Sequence, residues 1–215
     1  MLSVLYIIFT NVMKSEIPYY ALYLLLGIVM WNAFSRATTM GLYSILGRGG
    51  LVTKIYFPRE ILPLSACITS FIMMMFELSV FVAFVIALNF IPPTSIILLP
   101  FLFLLEFVLA IGLSLPLAVL NVYYRDVQYM WSVLLYAGFF ITPIFYRLEI
   151  FPENIRQFLY INPMAQIIEM AHNVALYDIL PNPSSLAYTI VVTFAIFTLG
   201  YFVFRYFEFR VAEAL

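Results

Sequence analysis

Residues 61–91, ILPLSACITSFIMMMFELSVFVAFVIALNFI, form a run of 31 positions with one charged side chain, Glu77. A hydrocarbon layer of ~30 Å is crossed by ~20 apolar residues in a helix, so this run is long enough to span a bilayer. In hydrocarbon every backbone polar group must find its partner inside the segment, which makes the span helical. Pro92-Pro93-Thr94-Ser95 then forces a turn, because paired prolines cannot continue a helix, and residues 96–121 return. An antiparallel helical pair inside a membrane is the least that this stretch dictates.

The rest of the chain repeats the pattern. Of its 215 residues 65% are hydrophobic and 10% charged, where a soluble domain is roughly a quarter charged. Further apolar spans cover 18–42, 128–146 and 186–207, and a more polar insert covers 147–185. The opening MLSVLYIIFTNVM reaches only about 20 Å as a helix, and no secretory signal pattern accompanies it. It is expected to be the outer half of a span whose beginning is missing, through a shortened gene model or a re-entrant start. The expectation is an all-α integral membrane protein, one transmembrane domain over 1–215, with six spans of which the first is truncated.

Several functions are excluded early. A net charge of −1 gives no case for nucleic-acid binding. Cys67 and His172 are each the only residue of their type, so neither a disulfide framework within the chain nor a metal cluster is expected. No Gly-x-x-x-x-Gly-Lys-Ser/Thr phosphate loop occurs, so ATP hydrolysis by that route has to come from another chain. No cluster of His, Asp and Glu at one membrane face supports a membrane-embedded glycosyl- or acyltransferase.

Orientation follows from the basic residues of short loops. Alternate loops put Arg48, Lys54, Arg59, Arg125, Arg205 and Arg210 on one side and Lys14, Arg147 and Arg156 on the other. The first group is expected to be cytosolic, with the C-terminus. The stretch IYFPREILPLS, 55–65, then becomes a cytosolic elbow. Pro58 and Pro63 stiffen the backbone before and inside the first turn of the long helix, while Arg59 and Glu60 resist burial. It reads either as a helix start with a snorkelling arginine or as a hinge that transmits force.

Within the spans, Glu77 and Glu106 each cost roughly 2.5–3.5 kcal/mol against lipid and so must face protein or water. Counted back from the Pro92-Pro93 turn both lie ~20 Å deep. They could share a proton, or pair with Arg36, as a polar lining of a conduit or as a structural bond between helices. Arg125-Asp126 is either a local pair closing a loop or a second cytosolic contact. In the insert, apolar residues at helical spacing, including Ile155, Phe158, Leu159, Ile167 and Ile168, predict two helices broken at Asn162-Pro163. His172 is expected to make a local hydrogen bond. Of the 38 Phe and Tyr residues (22 and 16), Tyr19, Tyr20, Tyr43, Tyr56 and Tyr146 fit an interfacial belt. Tyr136, Phe139, Phe140 and Tyr146 fit a duct on which sugar C–H faces stack.

The segments SILGRGGLVTKIYFPREILPLS (44–65), LNVYYRDVQYMW (120–131), FFITPIFY (139–146), INPMAQIIE (161–169) and FEFRVAEAL (207–215) occur in this order. The chain thereby resembles the permease subunit of type-2 ABC exporters, which move O-antigen, teichoic acid and related polysaccharides. Arg48, Thr53 and Arg147 depart from residues common at those places in the family. The resemblance implies six spans in the cytoplasmic membrane and a homodimer with two ATPase subunits that bind ATP and Mg. It implies a lipid-linked polysaccharide or polyol phosphate as cargo, and a pair of gate helices within 147–185, re-entering the membrane from outside. It implies that 44–60 is the coupling segment, with Arg48, Leu51, Lys54, Tyr56, Phe57, Pro58, Arg59 and Glu60 meeting the ATPase. A drug or lipid exporter of the same superfamily is the rival reading.

Overall fold

A computed structural model describes residues 19–52 and 57–208 of the chain. Among them all regular structure is helical: α1 Tyr20–Tyr43, α2 Gly49–Val52, α3 Ile61–Ala87, α4 Leu99–Tyr123, α5 Val127–Ile141, α6 Glu153–Ile161, α7 Pro163–Leu176 and α8 Pro183–Glu208. Four of these are long and apolar enough to cross a membrane: α1, α3, α4 with the 3-10 turn that leads into it, and α8. The expected partial span at 1–13 lies outside the described residues.

The expected span 128–146 needs correction. Helix α5 ends at Ile141 after 15 residues. Thr142 is extended, with ψ of 141°, because the ring of Pro143 excludes the helical region for the residue before it. The other boundaries follow their punctuation. Helix α3 ends where Asn89 takes a left-handed φ of 49°, just ahead of Pro92-Pro93. The insert breaks at Asn162-Pro163 as expected, and Asn162 caps α7 by accepting from the Met164 amide at 3.0 Å.

Lipid offers no hydrophobic drive between helices, so packing rests on small residues and hydrogen bonds. Helix α1 shows how. Ala33, Ala37 and Gly41 recur every fourth position and form one small-residue stripe. Against it lie Ser70, whose hydroxyl donates to the Ala33 carbonyl at 2.9 Å, and Ser114, 3.4 Å from the Ala37 carbonyl. Cys67 joins the two, 3.2 Å from the Ser114 hydroxyl. Helices α3 and α4 thereby meet each other over this stripe of α1, which is covered along most of its length.

A second seam joins α4 to α8. Pro116 inside α4 has no N–H, so the Gly112 carbonyl four residues earlier loses its helical donor. That carbonyl faces Gly200 of α8 so closely that a Cβ there would collide with it, and a Cβ on Gly112 would stand 2.7 Å from the Phe197 Cα. The paired contacts make α1, α4 and α8 run in one direction and α3 and α5 in the other. Residues 44–52, 57–60, 124–126 and 208 therefore share one end of the bundle, here the hinge end. Residues 88–98 and the insert share the other.

Candidate functional site

The hinge end is built on the exit of α1. Its last turn passes through a 3-10 turn at Leu46–Arg48 into the short α2, which holds Leu51. Of the coupling segment expected over 44–60, Lys54 and Tyr56 lie outside the described residues. The chain resumes at Phe57 and Pro58 and enters α3 at Ile61, with Pro63 inside the first turn. Arg48 is exposed, as are Arg125 and Asp126 at the same end. Arg125 and Asp126 form no ion pair with one another among the described residues, and Asp126 stands at the N-cap of α5.

Arg59 and Glu60 turn toward the end of α8. The Arg59 guanidinium donates to the Glu208 carbonyl oxygen. Arg205 lies 3.3 Å from the Glu60 carboxylate and 3.2 Å from that of Glu208. Its Nε donates to the Tyr201 hydroxyl at 2.9 Å, one turn earlier on the same helix. The elbow before α3 is thus clasped to the last turn of α8.

In mid-bundle, Glu77 pairs with Arg36 at 2.7 Å, and Arg36 also donates to the Ser70 hydroxyl at 3.2 Å. Side chains lean toward the N-terminus of their own helix, and α1 and α3 run oppositely, so the two long side chains lean toward each other. Glu106 stands apart. It is fully buried, and neither carboxylate oxygen has a partner among the described residues. Of the arrangements open from sequence, the Arg36 pairing forms for Glu77, and no hydrogen bond joins the two carboxylates.

At the insert end, residues 142–146 are unwound, and tyrosines satisfy their carbonyls. Tyr20 donates to Phe145 O at 3.1 Å, and Tyr23 reaches Tyr146 O at 2.7 Å and Pro143 O at 3.3 Å. The Tyr146 hydroxyl turns back to the Phe140 and Ile141 carbonyls, at 2.9 and 2.7 Å, which the end of α5 leaves open. Tyr20 is therefore buried as a backbone cap and does not belong to an interfacial belt. Tyr136 and Phe140 point away from the bundle, 74% and 65% exposed, whereas Phe139 packs on Trp31 at 6.3 Å.

His172 of α7 stacks on Tyr23 at 3.6 Å, with Nε2 2.9 Å from the Tyr23 carbonyl oxygen. The expected local bond is in fact a tie across 149 residues of chain. Burial pulls its pKa down to about 3, so the ring is neutral at physiological pH; Arg147 adds to the fall and the Tyr23 bond opposes it. Ser95 docks the 92–98 turn on the same helix, donating to the Val174 carbonyl at 2.8 Å.

The family model of the ABC-2 type transporter matches residues 1–176. The chain belongs to this family. It is also similar to two proteins of Klebsiella pneumoniae called O-antigen export system permease protein RfbA. One is 26% identical over 98% of this chain and 81% of its own length, the other 28% identical over 76% and 63%. A protein of the same name from Myxococcus xanthus is 32% identical over 75% of this chain and 63% of its own. The resemblance read from YFPRE and the N-x-Y-x-R-D motif is borne out: this is the permease of a type-2 ABC exporter.

In this ABC-2 permease the two motifs meet at one end. The described part of the elbow, Phe57–Glu60, and the segment that begins at Asn121 both flank the exit of α1, where Asn121 donates to the Leu42 carbonyl at 3.2 Å. Arg205 and Glu208 were not singled out as site residues from sequence. Their spacing with Tyr201 on one helix face was legible, but the partner Glu60 lies 145 residues away in the chain.

Proposed function

We propose that this permease carries lipid-linked polysaccharide or polyol phosphate chains out across the cytoplasmic membrane. It works as a homodimer driven by two copies of a separate ATPase that bind ATP and Mg, with its C-terminus and hinge end in the cytosol. The observation that carries the cargo is the similarity to O-antigen export permeases along nearly the whole chain. Physical chemistry supports the rest. The uncovered face of α5, with Tyr136 and Phe140, offers rings for sugar C–H stacking where two copies would meet. The stiff elbow at Pro58–Glu60 gives the ATPase a lever on α3. Residues 44–60 are its docking segment, and Arg125 and Asp126 a second contact beside it.

The test is genetic and topological. Deleting the gene should trap lipid-linked polysaccharide on the cytosolic leaflet, and the intact chain should restore surface display. A deletion strain that still displays its polysaccharide would direct attention to a drug or small-lipid cargo instead. Cysteine labelling at position 48 should succeed only from the cytosolic side.

A further inference from the structure

At the hinge end, the last turn of α1 and the first turns of α3 leave an open groove of about 330 Å³ between them. Its lining is in part apolar, from Met40 and Leu62, and in part polar, from Tyr43, Arg48, Ser65 and Thr69. Tyr43, Arg48 and Thr69 are exposed and Ser65 is half-buried, so these groups are open to a ligand. The groove lies where headgroups begin. Helix α1 has 24 residues and is ~36 Å long, more than a ~30 Å hydrocarbon layer, so its last turn reaches the membrane surface. Ser65 and Thr69 lie one and two turns into α3, about 6 and 12 Å from its first residue. A molecule in the groove therefore meets the headgroup layer at one end and acyl chains at the other.

The polar groups narrow the ligand. The Ser65 hydroxyl gives its proton to the Leu62 carbonyl and the Thr69 hydroxyl to the Ser65 carbonyl, each at 2.8 Å. A hydroxyl has one proton, so both oxygens are left to the groove as acceptors. The Arg48 guanidinium can only donate, and it brings one positive charge. No carboxylate lines the groove. The matching ligand has one negative charge for Arg48, hydroxyl groups that donate to Ser65 and Thr69, and a hydrocarbon chain for Met40 and Leu62. A zwitterionic lipid with an ammonium group would set a second cation beside Arg48. A diphosphate carries more charge than one arginine balances.

We propose that this groove binds a glycerophospholipid with one negative charge and a hydroxylated headgroup, such as phosphatidylglycerol, drawn from the leaflet at the hinge end. Its phosphate pairs with Arg48, and its glycerol hydroxyls donate to Ser65 and Thr69. The lipid braces the exit of α1 against the start of α3. It belongs to the surrounding membrane, so its binding does not depend on which cargo is exported.

Native mass spectrometry of the full permease, delipidated in detergent and titrated with single lipids, tests this. Phosphatidylglycerol should bind more tightly than phosphatidylethanolamine. It should also outbind phosphatidylmethanol, which has the same charge and no headgroup hydroxyl. Arg48→Gln should weaken phosphatidylglycerol about fivefold, the order of one basic residue against anionic lipid. Arg125→Gln removes an exposed arginine at the same end but outside the groove, and should leave the affinity unchanged. The double variant Ser65→Ala/Thr69→Val should erase the preference over phosphatidylmethanol, a ratio read within one protein and so independent of its stability. Equal binding of phosphatidylglycerol and phosphatidylethanolamine, or an equal loss in Arg125→Gln, would overturn the site. So would displacement of the lipid by soluble glycerol phosphate, or a preference over phosphatidylmethanol that survives the double variant.

Discussion

Arg205, in the last turn of α8, stands 3.3 Å from the carboxylate of Glu60, the residue that opens α3. With the Arg59 bond to the Glu208 carbonyl, this ties the elbow to the final helix. A push on the elbow therefore moves the hinge ends of α3 and α8 together. Exposed ion pairs of this kind contribute little to stability, so their value lies in the geometry that they hold. Glu60→Arg and Arg205→Glu should each lower the export obtained per ATP hydrolysed by the reconstituted complex, with no change in melting temperature. The double exchange should restore most of it. Equal coupling in all three variants would show that the clasp transmits nothing.

Gly200→Ala tests the α4–α8 seam. A methyl group there collides with the Gly112 carbonyl, which Pro116 leaves without its helical donor. Backbone meets backbone, so no side chain can step aside. The expected cost is about 1–3 kcal/mol, the usual range for overpacking a filled interior. It would be seen as a lower melting temperature of the purified permease. An unchanged melting temperature would mean that the two helices separate at little cost.

The Arg36–Glu77 pair should be needed as a pair. Glu77→Leu leaves a guanidinium in mid-bundle with Ser70 as its remaining partner, and Arg36→Met strands the carboxylate. Each single change is expected to cost about 2–3 kcal/mol, the order of an unpaired charge in a membrane interior. The double change should recover most of that loss. A double-mutant cycle on thermal stability decides it, and additive losses would show that the two charges are independently solvated.

His172 predicts a pH dependence of stability. Its folded pKa of about 3 lies below the 6.5 of an unperturbed imidazole, so between these values the unfolded chain binds the extra proton. Stability from this group is fully present above pH ~6.5 and falls as pH drops toward ~3, by about 1.4 kcal/mol for each pH unit inside the window. Melting temperatures at pH 7 and pH 5 should differ more for the natural chain than for His172→Gln. Equal differences in the two proteins would place the imidazole in contact with solvent.

The spans were legible because lipid enforces length and apolarity, and because Pro92-Pro93, Asn162-Pro163 and Pro58 punctuate them. The early end of α5 was also written in the sequence, in Thr142-Pro143, but the apolar residues beyond it masked the break. Side-chain partnerships were much harder to read. Glu77 had two candidate partners, and hydropathy does not choose between Arg36 and Glu106. The clasp of Glu60 to Arg205 and the tie of His172 to Tyr23 join residues more than a hundred positions apart. Such pairs depend on which helix faces lie together, and small residues such as Ala33, Ala37, Gly112 and Gly200 decide that through packing rather than through charge.

The shortness of α5 has a consequence for the bilayer itself. Its 15 residues cover about 22 Å of a ~30 Å layer, and the unwound segment that follows has carbonyls already satisfied by Tyr20 and Tyr23. Lipid beside so brief a rod has to thin, or yield to a dimple of water on the insert side. A solute sliding along α5 would regain hydration roughly 8 Å sooner than one following α3 or α8. The mouth of any passage there would lie sunk beneath the headgroups.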